Sequence, residues 1–236
     1  MSLETKLLTI ADNEQRVYEA GKKAQYDEFW DSIQQNGKRT NYQSAFMRWE
    51  GKEILPQYPI KTNTLYEMFA YCTNLENFDW SNISPVNNGY ESAYVFVRDC
   101  KKLKSIDIDL AFSGYQPTTI FYCSFLGATA LERIQKIYSE ADMVYTLTFV
   151  NCTSLKEIRF EGAIGRSIDF YSSPLSIDSM KSIILHLVNY KDTAYDGVYT
   201  LTLSSNSWSQ LDNEGATSPN GNSWREYVND LGWVAV

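Results

Sequence analysis

The sequence predicts an α/β fold: a short solenoid keyed by a repeated leucine, carrying parallel strand ladders, with an N-terminal helical cap and a C-terminal α/β cap. Three observations predict it. The stretch at residues 149–160, FVNCTSLKEIRF, repeats the wording of residues 69–80, FAYCTNLENFDW. Between those two stretches the frame C-x-x-L-x-x-[IF] recurs. A second short apolar alternation precedes most of its copies. The expected division is a cap over 1–60, a leucine-rich-repeat solenoid over 61–185 and a C-terminal cap over 186–236.

Composition sets the bounds. The 236 residues, 44% hydrophobic and 21% charged, are enough for a sizeable core and are not those of a disordered chain. A net charge of -8 argues against nucleic acid, because that binding draws on phosphate neutralisation by Lys and Arg. No apolar run reaches the ~18 residues a membrane helix needs, so no membrane insertion is expected. The opening MSLETKLLTIADNEQ lacks the basic-then-apolar pattern of a secretory signal, which leaves localisation open between cytoplasm, particle and cell surface.

The repeat is read from Cys72-Leu75-Phe78, Cys100-Leu103-Ile106 and Cys152-Leu155-Ile158, with Ala128-Leu131-Ile134 in the same frame. The leucines stand 28, 28 and 24 residues apart, and Leu175 begins a degenerate last copy. A leucine held at one phase of such a period marks a leucine-rich-repeat solenoid, in which each unit buries its apolar face only by stacking on its neighbours. Each copy continues as a strand: in LKSIDID, Ile106 and Ile108 are expected inward, Asp107 and Asp109 outward. The segments AYVF (93–96), TIFY (119–122), YTLTF (145–149), SIDF (167–170) and YTLTL (199–203) are expected as a second parallel ladder. The four cysteines contain no C-x-x-C pair and are read as small core residues, not zinc ligands.

The run F-x-x-C-T-x-L, clean at 69–75 and 149–155, resembles the repeat of BspA-type leucine-rich proteins over roughly residues 64–185. That resemblance implies a leucine-rich-repeat solenoid of a kind widespread in bacteria and some protists.

At the N-terminus, residues 9–36 are predicted helical, with Gly37 as the stop. The aromatic half, with Phe29, Trp30 and Ile33, is expected to pack over the first coil. Leu3, Leu7, Ile10, Val17 and Ala24 fit a heptad seam for self-association. PQYPIKTN, residues 56–63, marks the junction to the repeats. Residues 177–190 are predicted helical, with Asp178 capping and Met180, Ile183, Ile184, Leu187 and Val188 as the apolar face. A strand at YTLTLSS, a helix around SWSQLD and the final WREYVNDLGWVAV follow. This ending resembles that of repeat proteins from gut bacteria and their prophages, which implies an alternative role in a phage-like particle.

No catalytic motif is present, no cofactor is expected, and the chain is read as no enzyme. His186, on an apolar helix, is expected to be a satisfied, partly buried histidine. The D-x-D at 107–109 fits the outward phase of a strand better than a metal site. Most of the aromatic residues, 14% of the chain, fall in core phases, although exposed tyrosines leave glycan binding as a further alternative. Coils stacked about 4.8 Å apart would align outward residues in columns. Asn77, Ser105, Arg133 and Glu157 form one; Asp79, Asp107, Gln135 and Arg159 the next, with Asp109 beside them. Glu76, Lys104, Glu132 and Lys156 would pair as neighbours in a third. The leading expectation is a protein-protein or host-surface interaction module that presents this ladder to its partner.

Overall fold

The computed structural model describes residues 23–113, 120–191, 193, 197–214 and 218–236. Among them the chain winds as a short β-solenoid of about four turns, with four helices. Helix α1 covers 23–34. Strands β1 (Glu53–Ile54) and β3 (Asn77–Phe78) pair in parallel, as do β2 (Ile60–Thr62) and β4 (Ile83–Pro85). Strands β5 (Ser105–Leu110), β6 (Arg133–Ser139) and β7 (Glu157–Gly162) form the central ladder. Strand β8 (Ile168–Asp169), helix α2 (Ile177–Leu185), strand β9 (Thr200–Thr202), helices α3 (Ser205–Asn213) and α4 (Trp224–Asp230) and strand β10 (Val234–Ala235) complete the chain; β8, β9 and β10 are parallel neighbours.

The keyed leucines share one interior column. Leu75, Leu103, Leu131 and Leu155 are buried in a single core. The residues after the last three are tied coil to coil, Glu132 N–H to the Lys104 carbonyl at 2.8 Å and Lys156 N–H to the Glu132 carbonyl at 2.9 Å. Burying each such side chain stabilises the stack by about 1.5–3 kcal/mol. Beside the leucines runs an aromatic column in which Phe46–Phe69, Phe125–Phe149 and Phe149–Phe170 stack at centroid distances of 5.4, 5.4 and 4.3 Å. The cysteine of the motif has a definite task. Cys72, Cys100 and Cys152 point their sulfurs at the carbonyls of Phe46, Phe69 and Phe125 in the preceding coil, at 2.9, 2.9 and 3.1 Å. All four cysteines are buried free thiols, and burial pushes Cys152 up to about 12.

The second ladder differs from expectation. Residues 93–96, the described part of 119–122, and 145–149 are not β-strands but a ribbon of turns. Within it, alternate N–H groups bond locally three residues back, as Met68 to the Leu65 carbonyl and Ala70 to that of Glu67. The intervening ones cross to the next coil: Leu65, Glu67, Phe69 and Tyr71 donate to Ser92, Tyr94, Phe96 and Arg98. In this ribbon a left-handed residue recurs every fourth position, and Ser44, Glu67, Val95, Cys123 and Leu147 all have φ between 50° and 55°. Left-handed backbone costs an L-residue about 1–2 kcal/mol, which the crossing bonds and the packed core offset. At the matching turn ends Arg48, Tyr71, Asp99 and Asn151 are again left-handed, and Gly127, φ 73°, takes that place in the coil between the last two. A Cβ on Gly127 would stand 2.5 Å from Asp99 Oδ1. Only β8 and β9, within the predicted segments 167–170 and 199–203, are strands.

A bulge between Ile106 and Asp109 breaks the expected alternation of β5. Ile106 and Leu110 are buried, whereas Ile108 is only partly so. Of the predicted N-terminal helix, residues 9–22 lie outside the described residues, and so do Leu3, Leu7, Ile10 and Val17 of the seam; Ala24 is exposed. Trp30 of α1 packs against Phe46 of the first coil at 5.8 Å. The ribbon bonds begin at Ser44, within the segment read as a cap, since its N–H reaches the Tyr66 carbonyl. Helix α2 is capped by Ser176, whose hydroxyl accepts from Ser179 N–H, not by Asp178, which lies in the first turn. The helix ends before Leu187, which instead bridges to Ile164. Ser204 and Ser223 cap α3 and α4 in the same manner. The indoles of Trp208 and Trp233 close the C-terminal end by donating to the Val236 and Val188 carbonyls.

Candidate functional site

A groove of about 840 Å³ runs along the outer face of β6 and β7 beneath the first turn of α2. Its floor carries Arg133, Gln135, Lys136, Glu157 and Arg159, with Asp109 at one side and Ser176, Asp178, Ser179 and Ser182 at the other. Helix α2 is held there by the strand edge: Ile158 N–H donates to the Ser179 hydroxyl at 3.0 Å and Phe160 N–H to that of Ser182 at 3.1 Å. Two serines one helical turn apart thus satisfy β7 backbone groups that a fourth strand would otherwise pair.

The predicted columns are only partly realised. Ser105, Arg133 and Glu157 stand in register across β5, β6 and β7. Asn77 is not in this ladder, because β3 pairs with β1 alone, and the Trp80 indole donates to the Ser105 carbonyl at 2.8 Å. Asp79 instead caps the short 3-10 turn Trp80–Asn82, accepting from Ser81 N–H at 3.1 Å and the Ser81 hydroxyl at 2.6 Å. Those bonds hold its carboxyl below the usual range. The second column is displaced by the bulge, which sets Asp109 opposite Lys136.

Most of the ladder's charge is spent internally. Arg133 pairs with Asp107 at 2.6 Å, and Ser105 donates to the other Asp107 oxygen at 2.7 Å. Asp109 accepts from Gln135 at 2.8 Å and pairs with Lys136 at 3.4 Å. Lys136 also reaches Glu161 at 3.0 Å and donates to the Tyr138 hydroxyl at 3.0 Å. The Tyr138 bond, then Glu161 and Asp109, keep its ammonium protonated well above the ordinary lysine range. Glu157 and Arg159 are exposed and make no ion pair among the described residues. With Asp178 of α2, which is likewise exposed and in no ion pair among the described residues, they are the charges this groove has left to offer. In the third column Glu76 pairs with Lys52 at 3.2 Å, while Lys104, Glu132 and Lys156 form no ion pair among the described residues.

Sequence reasoning missed Lys136 and Glu161, which enter only because of the bulge. It also missed Ser179 and Ser182, whose spacing on one helix face was the available signal. His186 is satisfied, donating from Nδ1 to the Ser182 carbonyl at 2.6 Å. No cluster of metal-ligating side chains occurs among the described residues. Tyr66, Tyr94 and Tyr122 stack on one another at 4.7 and 5.3 Å, so both faces of Tyr94 and one face each of Tyr66 and Tyr122 are used within the molecule. Compared with protein families, curated proteins and solved structures, the chain matches none.

Proposed function

We propose that the protein is a non-enzymatic interaction module on a leucine-rich-repeat scaffold of the BspA kind, docking a protein partner in the strand-face groove. In this reading α1 caps the first coil and the unit from α2 to β10 caps the last. One observation carries it: on a groove floor whose other charges are tied down, Glu157 and Arg159 stand exposed and without ion pairs among the described residues, on successive outward positions of β7. A rigid floor with one free acid and one free base favours a partner of complementary charge and fixed register. Glycan stacking on the tyrosine column is less well supported, since Tyr94 is covered by a ring on both faces and Tyr66 and Tyr122 on one each.

A photo-crosslinking residue placed at Arg159, with one at the exposed Asp212 of α3 as control, tests the proposal in cell extract. Discrete protein adducts at 159 that Glu157→Lys abolishes are expected. Adducts equal at both positions, or none at 159, would overturn it. Light scattering on the purified chain separates this module from a particle component, which must assemble into many copies.

A further inference from the structure

Every described backbone bond between successive ribbons runs in one sense, from an N–H of the earlier coil to a carbonyl of the later. Ser44, Phe46 and Arg48 donate to Tyr66, Met68 and Ala70 at 3.0, 3.0 and 2.8 Å. The sense is repeated from coil two to three, from three to four, and on to Thr146, Thr148 and Val150. By this register the equivalent acceptors of the first coil are the carbonyls of Gln43, Ala45 and Met47. Local bonds do not use them, because Ala45, Met47 and Trp49 donate to Tyr42, Ser44 and Phe46. Among the described residues no donor reaches any of the three.

Ala45 and Met47 line a cleft of about 420 Å³ between α1 and the first coil, walled by Phe29, Phe46 and Trp49 and rimmed by the exposed Glu50. Phe29 is 37% exposed and lies 5.6 Å from Trp49, ring to ring. Arg48, the one cation lining the cleft among the described residues, lies over the Tyr71 ring of the next coil at 5.8 Å. The cleft therefore joins an edge of acceptors, aromatic walls and a carboxylate.

That combination selects its occupant. An added β-strand fits badly, since each of its edges brings carbonyls together with N–H groups and would oppose acceptor to acceptor. A second copy related by a two-fold axis fails likewise, because an isologous contact sets this edge against itself. A guanidinium matches on every count: it has five N–H donors, no acceptor, a plane that stacks on aromatic rings, and positive charge. We propose that this cleft binds an arginine side chain of a partner polypeptide, with donors on the Ala45 and Met47 carbonyls, the plane against Phe29 and Trp49, and Glu50 as counter-ion. The site is separate from the strand-face groove and stands or falls independently of it.

The test is a two-dimensional NMR titration of the labelled full chain with a capped Gly-Arg-Gly peptide and its citrulline and lysine counterparts. Citrulline keeps the shape but loses the charge. Saturable shifts confined to residues 29–51, including the Trp49 indole, are expected, with citrulline weaker by about fivefold or more. Phe29→Ala and Glu50→Gln should each weaken binding about threefold. Both side chains are exposed, so unchanged circular dichroism and Tm would show that the fold persists. Equal shifts with citrulline or lysine, shifts centred on Glu157 and Arg159, or no shifts at all would overturn the proposal.

Discussion

The pentapeptide VYTLT occurs twice, at residues 144–148 and 198–202, and folds in two ways. In the first copy it is turn ribbon: Leu147 has φ 54° and is 49% exposed, while Tyr145 and Thr148 are buried. In the second it is β9, with Leu201 fully buried between β8 and β10. The neighbours account for the difference. The fourth coil presents Cys123 and Phe125 N–H groups to the first copy, and that of Gly127 to Val150 just beyond it, a row of backbone donors. Meeting it requires a row of carbonyls, which this ribbon provides through successive tight turns with a left-handed residue every fourth position, Leu147 and then Asn151. Thr148 adds a hydroxyl bond to the Phe121 carbonyl at 2.7 Å. Strands β8 and β10 offer mixed edges, which an extended segment matches. Backbone conformation here is thus templated by the adjoining coil.

The sharpest test of this contrast is truncation of the two leucines. Leu201→Ala should cost about 3 kcal/mol in urea unfolding, whereas Leu147→Ala, half exposed, should stay within about 0.5 kcal/mol. Equal costs would mean that the two copies share one environment. At the boundary where strand gives way to helix, Ser179→Ala and Ser182→Ala should each destabilise by about 1–2 kcal/mol, because each leaves a β7 N–H without its acceptor. Hydrogen exchange at Ile158 and Phe160 should accelerate in the respective variants; unchanged exchange would assign the edge another partner.

Smaller in effect, Leu147→Gly should stabilise the chain by about 0.5 kcal/mol, since relief of left-handed strain slightly exceeds the entropy glycine loses. The same substitution at Leu201, where the backbone is extended, should be strongly destabilising. The smallest effect is pH-dependent. Asp79 has a lowered pKa in the folded chain, so its contribution is present above the unfolded-state value and is lost as pH falls through the folded one. An NMR titration should place its carboxyl below 3.8, and Ser81→Ala should bring it back towards that value.

How much could be read in advance follows from which residues carry each feature. The leucine column was legible because one residue type recurs at one phase, and burial selects for that directly. The cysteine slot was legible as core, though not its bonds to phenylalanine carbonyls, which depend on the coil behind. For the groove, Arg133, Gln135, Glu157, Arg159 and Asp109 were named from strand alternation. Asn77 and Asp79 were misplaced because the Trp80 turn interrupts the ladder, and no spacing rule shows that interruption. The β5 bulge was equally hidden: SIDIDL alternates cleanly as a string.

By itself, then, the sequence determined the winding, the inward leucines and aromatics, and the polar character of the strand face, since each follows from side-chain burial at a fixed period. Only the tertiary structure decided the ribbon's recurrent left-handed residues, the bulge that ties Lys136 to Asp109, and the serines that meet the edge of β7. Those depend on which hydrogen-bonding groups an adjacent coil presents, and backbone donors and acceptors are the same in every residue but proline.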